Sequence, residues 1–326
     1  MIRPALYRDL LFLRRSFPSS FNDYQQRLGL KRPFASVFSW LPNPARFLLA
    51  EEDGRIKGFL ASSPGNRSHT RWHIDALAVS TPCSFPSIGG ELLDFLLFSH
   101  AGVKSYTLEA DPTQLPLVEL CQERGFRRYG TVHYYRLEPP LQGGAPPPAG
   151  IRPYHPRDAA ALFDLHNACT PASVRMVDSW TAADFQVGFV ERSMTSLRRR
   201  LGHGHEERFV VYRGEHLVGY LKSSEHASLP RALHVMAHPG FESLYEELIR
   251  FGLGRMEACH PGTVIGWAPD YQGAKKEAFE SIGFRGIASG WLFVRDSTMT
   301  IKMAPGTHVA LEDPPLRPAD CDPATP

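Results

Sequence analysis

Two copies of one sequence pattern lie in this chain, one in each half. IRPALYRDL (residues 2–10) and IRPYHPRDA (151–159) share isoleucine, arginine, proline, arginine and aspartate at identical spacing. RFLLAEEDGRIKGFLAS (46–62) and RFVVYRGEHLVGYLKS (208–223) each place two apolar runs around a glycine-containing turn, which is typical of a β-hairpin. Because such a repeat requires both copies to build a core from the same elements, it predicts two domains of one kind.

A third pair of segments extends the repeat towards the end of each half. CQERGFRR (121–128) and FESIGFRG (279–286) are each followed by a strand-like run. Between the halves, PPLQGGAPPPAG is too rich in proline and glycine for a helix or a strand ladder, and the last residues have the composition of a loose tail. The predicted organisation is a first domain over 1–138, a linker over 139–150, a second domain over 151–303 and a tail over 304–326.

Both halves also carry the same order of predicted elements. Each half contains a short strand, two helices, the hairpin, a strand, an amphipathic helix, a strand, a short helix and a last β pair. Strands mixed with helices in this order predict an α/β fold, with a mixed sheet flanked by helices. The apolar stripe of the amphipathic helix recurs every three or four residues, at Ile88, Leu92, Phe95 and Leu96 in the first half and at Leu244, Leu248 and Phe251 in the second.

Composition and charge argue against several classes of protein. Lysine and arginine number 36 against 34 acidic residues, so no basic surface for nucleic acid or an anionic membrane is expected. The five cysteines show no CxxC spacing, which predicts neither disulfides nor a metal site. Apolar stretches stay well short of the ~20 residues of a membrane span. Arg14 and Arg15 interrupt the apolar run near the N-terminus, so we expect a cytoplasmic protein without a secretory signal.

The order of elements and three short motifs resemble one known superfamily. IDALAV (74–79) before GGELL (89–93), and LCQERGF (120–126) with its counterpart AFESIGF (278–284), are similar to the signatures of the GNAT superfamily of acyl-CoA-dependent N-acetyltransferases. The resemblance implies two tandem GNAT-like domains. It also implies acetyl-CoA as co-substrate and a small-molecule or peptide amine as acceptor, without a metal.

The resemblance places the acetyl-CoA site in the first half. Unpaired N–H groups at a helix start suit a pyrophosphate, and the family's loop carries Arg or Gln followed by Gly-x-Gly or Gly-x-Ala. Only Gly89 keeps a family-type residue here, while Ser84 and Ser87 replace the others; an ordinary serine-capped helix start is the alternative. The implied cofactor-binding residues are Leu77, Ala78, Val79, Ser84, Ser87, Ile88, Gly89, Gly90 and Gln114.

The corresponding stretch of the second half is acidic. Glu242, Glu246 and Glu247 lie within six residues of sequence there, and their carboxylates repel a pyrophosphate. We therefore expect the first half alone to hold the cofactor. The second half is expected to be structural or to shape the substrate site.

Catalytic candidates lie on the fourth strand and on the short helix of the first half. His73 and Asp75 are two residues apart and form a candidate base pair, with solvation at a strand edge as the alternative. The spacing of Ile74 and Leu77 indicates one extra residue between them, as in a β-bulge. Cys121 occupies the position where the family has the tyrosine that acts as general acid, which makes it a candidate acid. Packing on an apolar helix face is its alternative role.

Several interpretations stay open at this stage. His133 and Tyr135 either line the acceptor cleft or are packed aromatic residues. LRRRLGHGHEER (197–208) is better explained as a solvated helix end than as a metal or anion site. The protein is either a monomer or a homodimer. The alternative function is a non-catalytic, degenerate GNAT pair that acts as a ligand-binding or regulatory module.

Overall fold

The computed structural model describes both halves of the repeat. The described residues are 1–5, 9, 13, 17, 46–81, 83–99, 102–139, 146–186, 205–226, 229–257 and 262–297. The two helices predicted between the first strand and the hairpin of the first half lie outside them, apart from residues 9, 13 and 17. The basic segment 197–204 and the tail 304–326 also lie outside them.

All described strands belong to one 12-stranded mixed sheet. Its strand order is β1-β2-β3-β4-β5-β12-β6-β11-β10-β9-β8-β7. This order is symmetrical, because β1 to β5 followed by β12 on one side correspond to β7 to β11 followed by β6 on the other. The strands are β1 (Ile2–Pro4), β2 (Arg46–Glu52), β3 (Arg55–Pro64), β4 (Arg71–Val79), β5 (Ser105–Ala110), β6 (Arg127–Leu137), β7 (Ile151–Pro153), β8 (His205–Arg213), β9 (His216–His226), β10 (Leu229–Ala237), β11 (Val264–Pro269) and β12 (Arg285–Asp296).

Helices cover both faces of the sheet. In the described part of the chain the α-helices are α1 (Phe85–Phe98), α2 (Leu115–Glu123), α3 (Ala159–Cys169), α4 (Ala172–Asp178), α5 (Leu244–Glu257) and α6 (Gly273–Ile282). Short 3-10 turns occur at Pro156–Asp158, Ala182–Phe185 and Pro239–Phe241. The predicted α/β fold, with a mixed sheet flanked by helices, is confirmed.

The two halves exchange their last strands. β12, from the second half, lies between β5 and β6 and is antiparallel to both, whereas β6 also pairs with β11 of the second half. The sequence pattern predicts a last β pair inside each half, and this prediction is wrong. Each half supplies one strand after its short helix, and pairing with the strand from the other half covers the edge that this strand leaves open.

The repeated Gly-Phe motif ends the short helix of each half. Gly125 and Gly283 follow α2 and α6 in the left-handed region, with φ of +76° and +100°. The N–H groups of Phe126 and Phe284 donate to carbonyl groups five residues earlier, at 2.9 and 3.0 Å. This arrangement is the Schellman motif, and both phenylalanine rings are buried in the core. The motif therefore has a structural role in both halves.

Each half has its own core on the face that carries its two later helices. Leu92, Leu96 and Leu120 of α1 and α2 pack on the first half of the sheet, and Leu248, Leu253 and Phe279 of α5 and α6 pack on the second. Smaller clusters lie on the opposite face. No described helix is long and apolar enough to cross a bilayer.

Candidate functional site

Two neighbouring parallel strands diverge in the first half and form a fork. β4 and β5 pair only from Arg71 with Ser105 to Ile74 with Leu108. Asp75 and Glu109 are the first residues after the last paired positions. The sequence therefore brings two carboxylates to the start of the fork. Asp75 is 8% exposed, whereas Glu109 is half-buried.

The predicted β-bulge is confirmed and lies at Asp75. Ala61 of β3 pairs with Ala76, but the next residue of β3, Ser62, pairs with Ile74, so Asp75 is the extra residue of β4. Ile74 and Leu77 consequently pack in the same core cluster although they are three residues apart. The expectation that His73 and Asp75 share a face assumed a regular strand, whereas Asp75 is itself the extra residue of the bulge.

Polar side chains from three strands lie on the face of the sheet opposite α1 and α2. His73 Nδ1 is 3.1 Å from Thr107 Oγ1, which links β4 to β5. The Tyr134 hydroxyl donates to the Glu109 carboxylate, at 2.8 and 2.9 Å from its two oxygens. The Glu109 side chain passes over Gly290 of β12, where a β-carbon would collide with it. Because of the strand exchange, Gly290 of the second half lies between Glu109 and Tyr134 of the first half.

The start of α1 is open to solvent on one side and packed on the other. Ser84 and Ser87 are exposed, no side chain caps the helix, and its first turn contains no acidic residue. Gly89 and Gly90 are buried instead, because α2 packs against them with Leu120 and Arg124. The two glycines therefore allow close approach of the helices, while the two serines occupy the solvent-facing start.

The remaining first-half candidates lie at the start of α2, on β4 and on α1. Gln114 is exposed at the N-cap of α2. Leu77, Ala78 and Val79 pair with β3 on one side, and no pairing with β5 extends past Ile74 on the other. Ile88 is half-buried and packs against the core around α1.

Cys121 has no exposed surface and packs in the core of the first half. Burial raises the pKa of its thiol to about 12. A group inside the core does not reach a substrate, so the burial favours the packing role of this cysteine.

Of the two roles left open for Tyr135, the structure shows the packed aromatic residue. Its ring stacks on Phe279 at 5.4 Å between centroids, inside the core of the second half. The strand exchange is the reason, because β6 carries this side chain across to α6. His133 lies on the same strand, is half-buried, and pairs with Ala268 of β11 and Ser289 of β12.

The second half has a fork of different chemistry. β10 and β11 pair from Arg231 to Leu233, and His234 and Trp267 follow. These two rings stack, with centroids 5.1 Å apart and planes 16° apart. β10 keeps a regular register with β9 from Ala232 to Ala237, so no bulge corresponds to Asp75. Glu246 and Glu247 lie in the first turn of α5, so the start of this helix is acidic, as the sequence predicts.

Two functionally interesting residues were missed by sequence reasoning. Glu109 is the last of the alternating polar residues in SYTLEA. This alternation identifies one face of β5, but it gives no reason to single out Glu109 on that face. Lys275 is buried at 1% exposure on α6, where the sequence shows only a lysine on an amphipathic helix. Among the described residues no group of three potential metal ligands occurs.

Comparisons with known proteins agree with this architecture. The sequence profile of the acetyltransferase (GNAT) family matches residues 10–126. A tandem GNAT protein from the clavulanic acid biosynthesis pathway has a TM-score of 0.58 at 14% identity, over 92% of this chain and 99% of that one. A GCN5-related N-acetyltransferase from Sphaerobacter thermophilus also has a TM-score of 0.58, at 15% identity over 93% and 97%. No curated protein matches the sequence significantly.

The fold of this protein is similar to that of tandem GNAT proteins, and residues 10–126 of its first half match the GNAT acetyltransferase family.

Proposed function

We propose that the first half transfers an acetyl group from acetyl-CoA to the amine of a small-molecule or peptide acceptor. The observation that carries this proposal is the contrast between the two forks. Asp75 and Glu109 start the fork of the first half, next to a helix start without acids. In the second half, stacked rings occupy the fork and glutamates occupy the helix start.

The described residues of the first half suit the two ends of acetyl-CoA. The exposed start of α1 offers N–H groups and the Ser84 and Ser87 hydroxyls to a pyrophosphate. The edge of β4 that faces away from β3, from Leu77 to Val79, offers backbone groups to the amides of the pantetheine arm. Gln114, exposed at the N-cap of α2, offers a side-chain amide to the same arm.

Acetyl-CoA supplies the activated acetyl group, and the protein must remove a proton from the acceptor amine, which is protonated near neutral pH. We assign this step to Glu109, because its carboxylate is half-buried and held by Tyr134. Asp75 is the second candidate base, and His73, which contacts Thr107 of β5, is the third.

Calorimetry with acetyl-CoA tests the cofactor site. The intact protein is expected to bind it, and Ser87→Glu is expected to weaken the affinity at least about tenfold, since a carboxylate then faces the pyrophosphate. Ser87→Gln is the matched control, because it adds the same bulk without charge. Absence of binding by the intact protein, or equal losses in both variants, contradicts the proposed site.

A non-catalytic, ligand-binding role is the second candidate function. It is favoured by Cys121, whose burial leaves no proton donor at the position of the family's tyrosine. Incubation of the protein with labelled acetyl-CoA and a panel of amines separates the two. Binding of acetyl-CoA without transfer to any amine favours the second candidate.

A further inference from the structure

A cavity of about 380 Å³ opens in the second half of the protein. It lies between α3, the turn Ala182–Phe185 and the diverging strands β10 and β11. α6 packs on the face of the sheet opposite α3, yet Lys275 of α6 also lines the cavity. The cavity therefore extends through the gap where β10 and β11 diverge. The residues that line it include His166, Trp180, Tyr220, His234, Trp267 and Lys275.

Lys275 is the unusual member of this wall. Its side chain is 1% exposed. Among the described residues, no hydrogen bond or carboxylate contributes to the pKa of its ammonium group. The equivalent position of α2 in the first half is Leu117, a core residue. Burial lowers the pKa of Lys275 to about 7. A buried amine in place of an apolar residue costs stability, which makes a purely structural role a poor explanation.

The other charged side chains that face the cavity have partners. Arg208 and Lys222 both pair with Glu206, at 2.6 and 3.2 Å. Asp184 accepts hydrogen bonds from the backbone and hydroxyl of Thr181 at 2.8 Å and from a backbone N–H of the first half. Arg208 and Lys222 thus each have a carboxylate partner, whereas Lys275 has none among the described residues.

Polar atoms without a partner surround the same space. His166 Nε2, His234 Nδ1 and Gln272 Oε1 are buried and make no hydrogen bond within the described protein. Burial lowers the pKa of His166 to about 4 and that of His234 well below its usual value, so both imidazoles are neutral near pH 7. Buried polar atoms are otherwise almost always paired, so this cluster indicates a site built for a polar ligand.

The apolar part of the wall is aromatic. His166 meets Trp180 and Phe185 at centroid distances of 6.3 and 5.4 Å, and Tyr220 meets His234 edge-on at 6.1 Å. Flat rings on several sides favour a flat ligand, because aromatic rings pack best in stacked or edge-to-face pairs. The volume is in the range of small-molecule sites.

We propose that this cavity binds a small aromatic carboxylate, with its carboxylate group on Lys275 and its ring against the aromatic wall. The charge of the ligand supplies the partner that Lys275 lacks, and one of the neutral imidazoles donates a further hydrogen bond. The site is separate from the fork of the first half, so the proposal does not depend on acetyl transfer.

Phenylacetate and phenylacetamide test the proposal, since they have the same shape and differ in charge. We expect calorimetry on the full chain to give a dissociation constant on the order of 1 mM for phenylacetate. The amide is expected to bind at least about tenfold more weakly, because a neutral carbonyl does not form an ion pair with the ammonium group of Lys275.

Lys275→Met and Lys276→Met are the paired variants. Lys275→Met keeps the length of the side chain and removes a buried amine, so it is expected to fold and to lose the preference for the acid. Lys276→Met changes the neighbouring, less buried lysine and is expected to keep that preference. Equal binding of acid and amide, no binding of either, or an unchanged preference in Lys275→Met would overturn the proposal.

Discussion

The imidazole of His234 stacks on the indole of Trp267, and this pair occupies the fork of the second half. In the first half, the residues that directly follow the last paired positions of the fork are Asp75 and Glu109. One fold therefore presents two acids at one fork and two rings at the other. A carboxylate accepts a proton from an amine, whereas a neutral stacked imidazole with a lowered pKa does so poorly near pH 7.

Glu109→Gln is expected to lower the rate of acetyl transfer by a factor of roughly 10² to 10⁴, the usual contribution of a general base. The affinity for acetyl-CoA should stay the same, because Glu109 lies on the face of the sheet opposite α1, whereas the proposed pyrophosphate site is at the start of α1. Tyr134→Phe should give a smaller loss, since it removes only the hydrogen bond to the carboxylate. Steady-state kinetics checks both, with Glu119→Gln on the exposed side of α2 as control. Full activity in Glu109→Gln would move the base role to Asp75.

Gly290→Ala tests whether the crossing of β12 sets the position of Glu109. A β-carbon at this position collides with the Glu109 side chain, so that side chain must leave Tyr134. We expect a loss of activity at least as large as in Tyr134→Phe. Gly286→Ala on the same strand is the control, because its β-carbon would meet no atom within 4 Å. If the two alanine variants have equal activity, the crossing is unimportant for transfer.

Much of this architecture could be predicted from the repeat. The hairpins, the amphipathic helices and the bulge follow from local patterns, and the structure has them where the sequence places them. The partners of the last strands could not be predicted, because β6 and β12 carry the same alternation whichever half they join. That choice is a long-range pairing, and it places Tyr135 in the core of the other half.

The candidate site was only partly predictable. Ser84 and Ser87 were found from a helix-start pattern, and Asp75 was found from its strand. Glu109 was missed because its significance comes from the point where β4 and β5 diverge, which no local pattern indicates. Lys275 was missed because burial of a lysine depends on what packs over it.

Separation of the halves should require denaturant. β12 forms ladders with both β5 and β6, so a cut in the linker leaves each last strand held by the other half. We expect a protein with a protease site inserted at 140–145 to elute after cleavage at the size of the intact chain. Size-exclusion chromatography with and without urea measures this. Two separate peaks in native buffer would contradict the strand exchange.

Arg71 of β4 and Asp178 of α4 form a buried ion pair between the halves, at 2.8 Å, and the guanidinium also lies 4.4 Å from the centroid of Trp180. Arg71→Met leaves the carboxylate without its partner and should cost about 3 kcal/mol of unfolding free energy in urea titrations. The double variant with Asp178→Asn should recover part of that loss. Arg127→Met is the control, because its pair with Asp296 is exposed and is worth at most about 1 kcal/mol. Equal costs in both single variants would contradict a special role for burial.

The buried lysine predicts a specific pH dependence of stability. The pKa of Lys275 is lowered by burial to about 7 in the folded protein, against 10.5 for the free side chain. Between these values the unfolded chain binds the extra proton, so the unfolding free energy rises with pH by up to about 1.4 kcal/mol per unit. Below about pH 7 both states are protonated at this position and the contribution is constant. Urea titrations of the wild type and Lys275→Met at several pH values should therefore differ by a term that is flat below neutrality and shrinks above it. A constant difference from pH 6 to pH 10 would show that Lys275 stays protonated in the folded protein, with a carboxylate or solvent near its ammonium group.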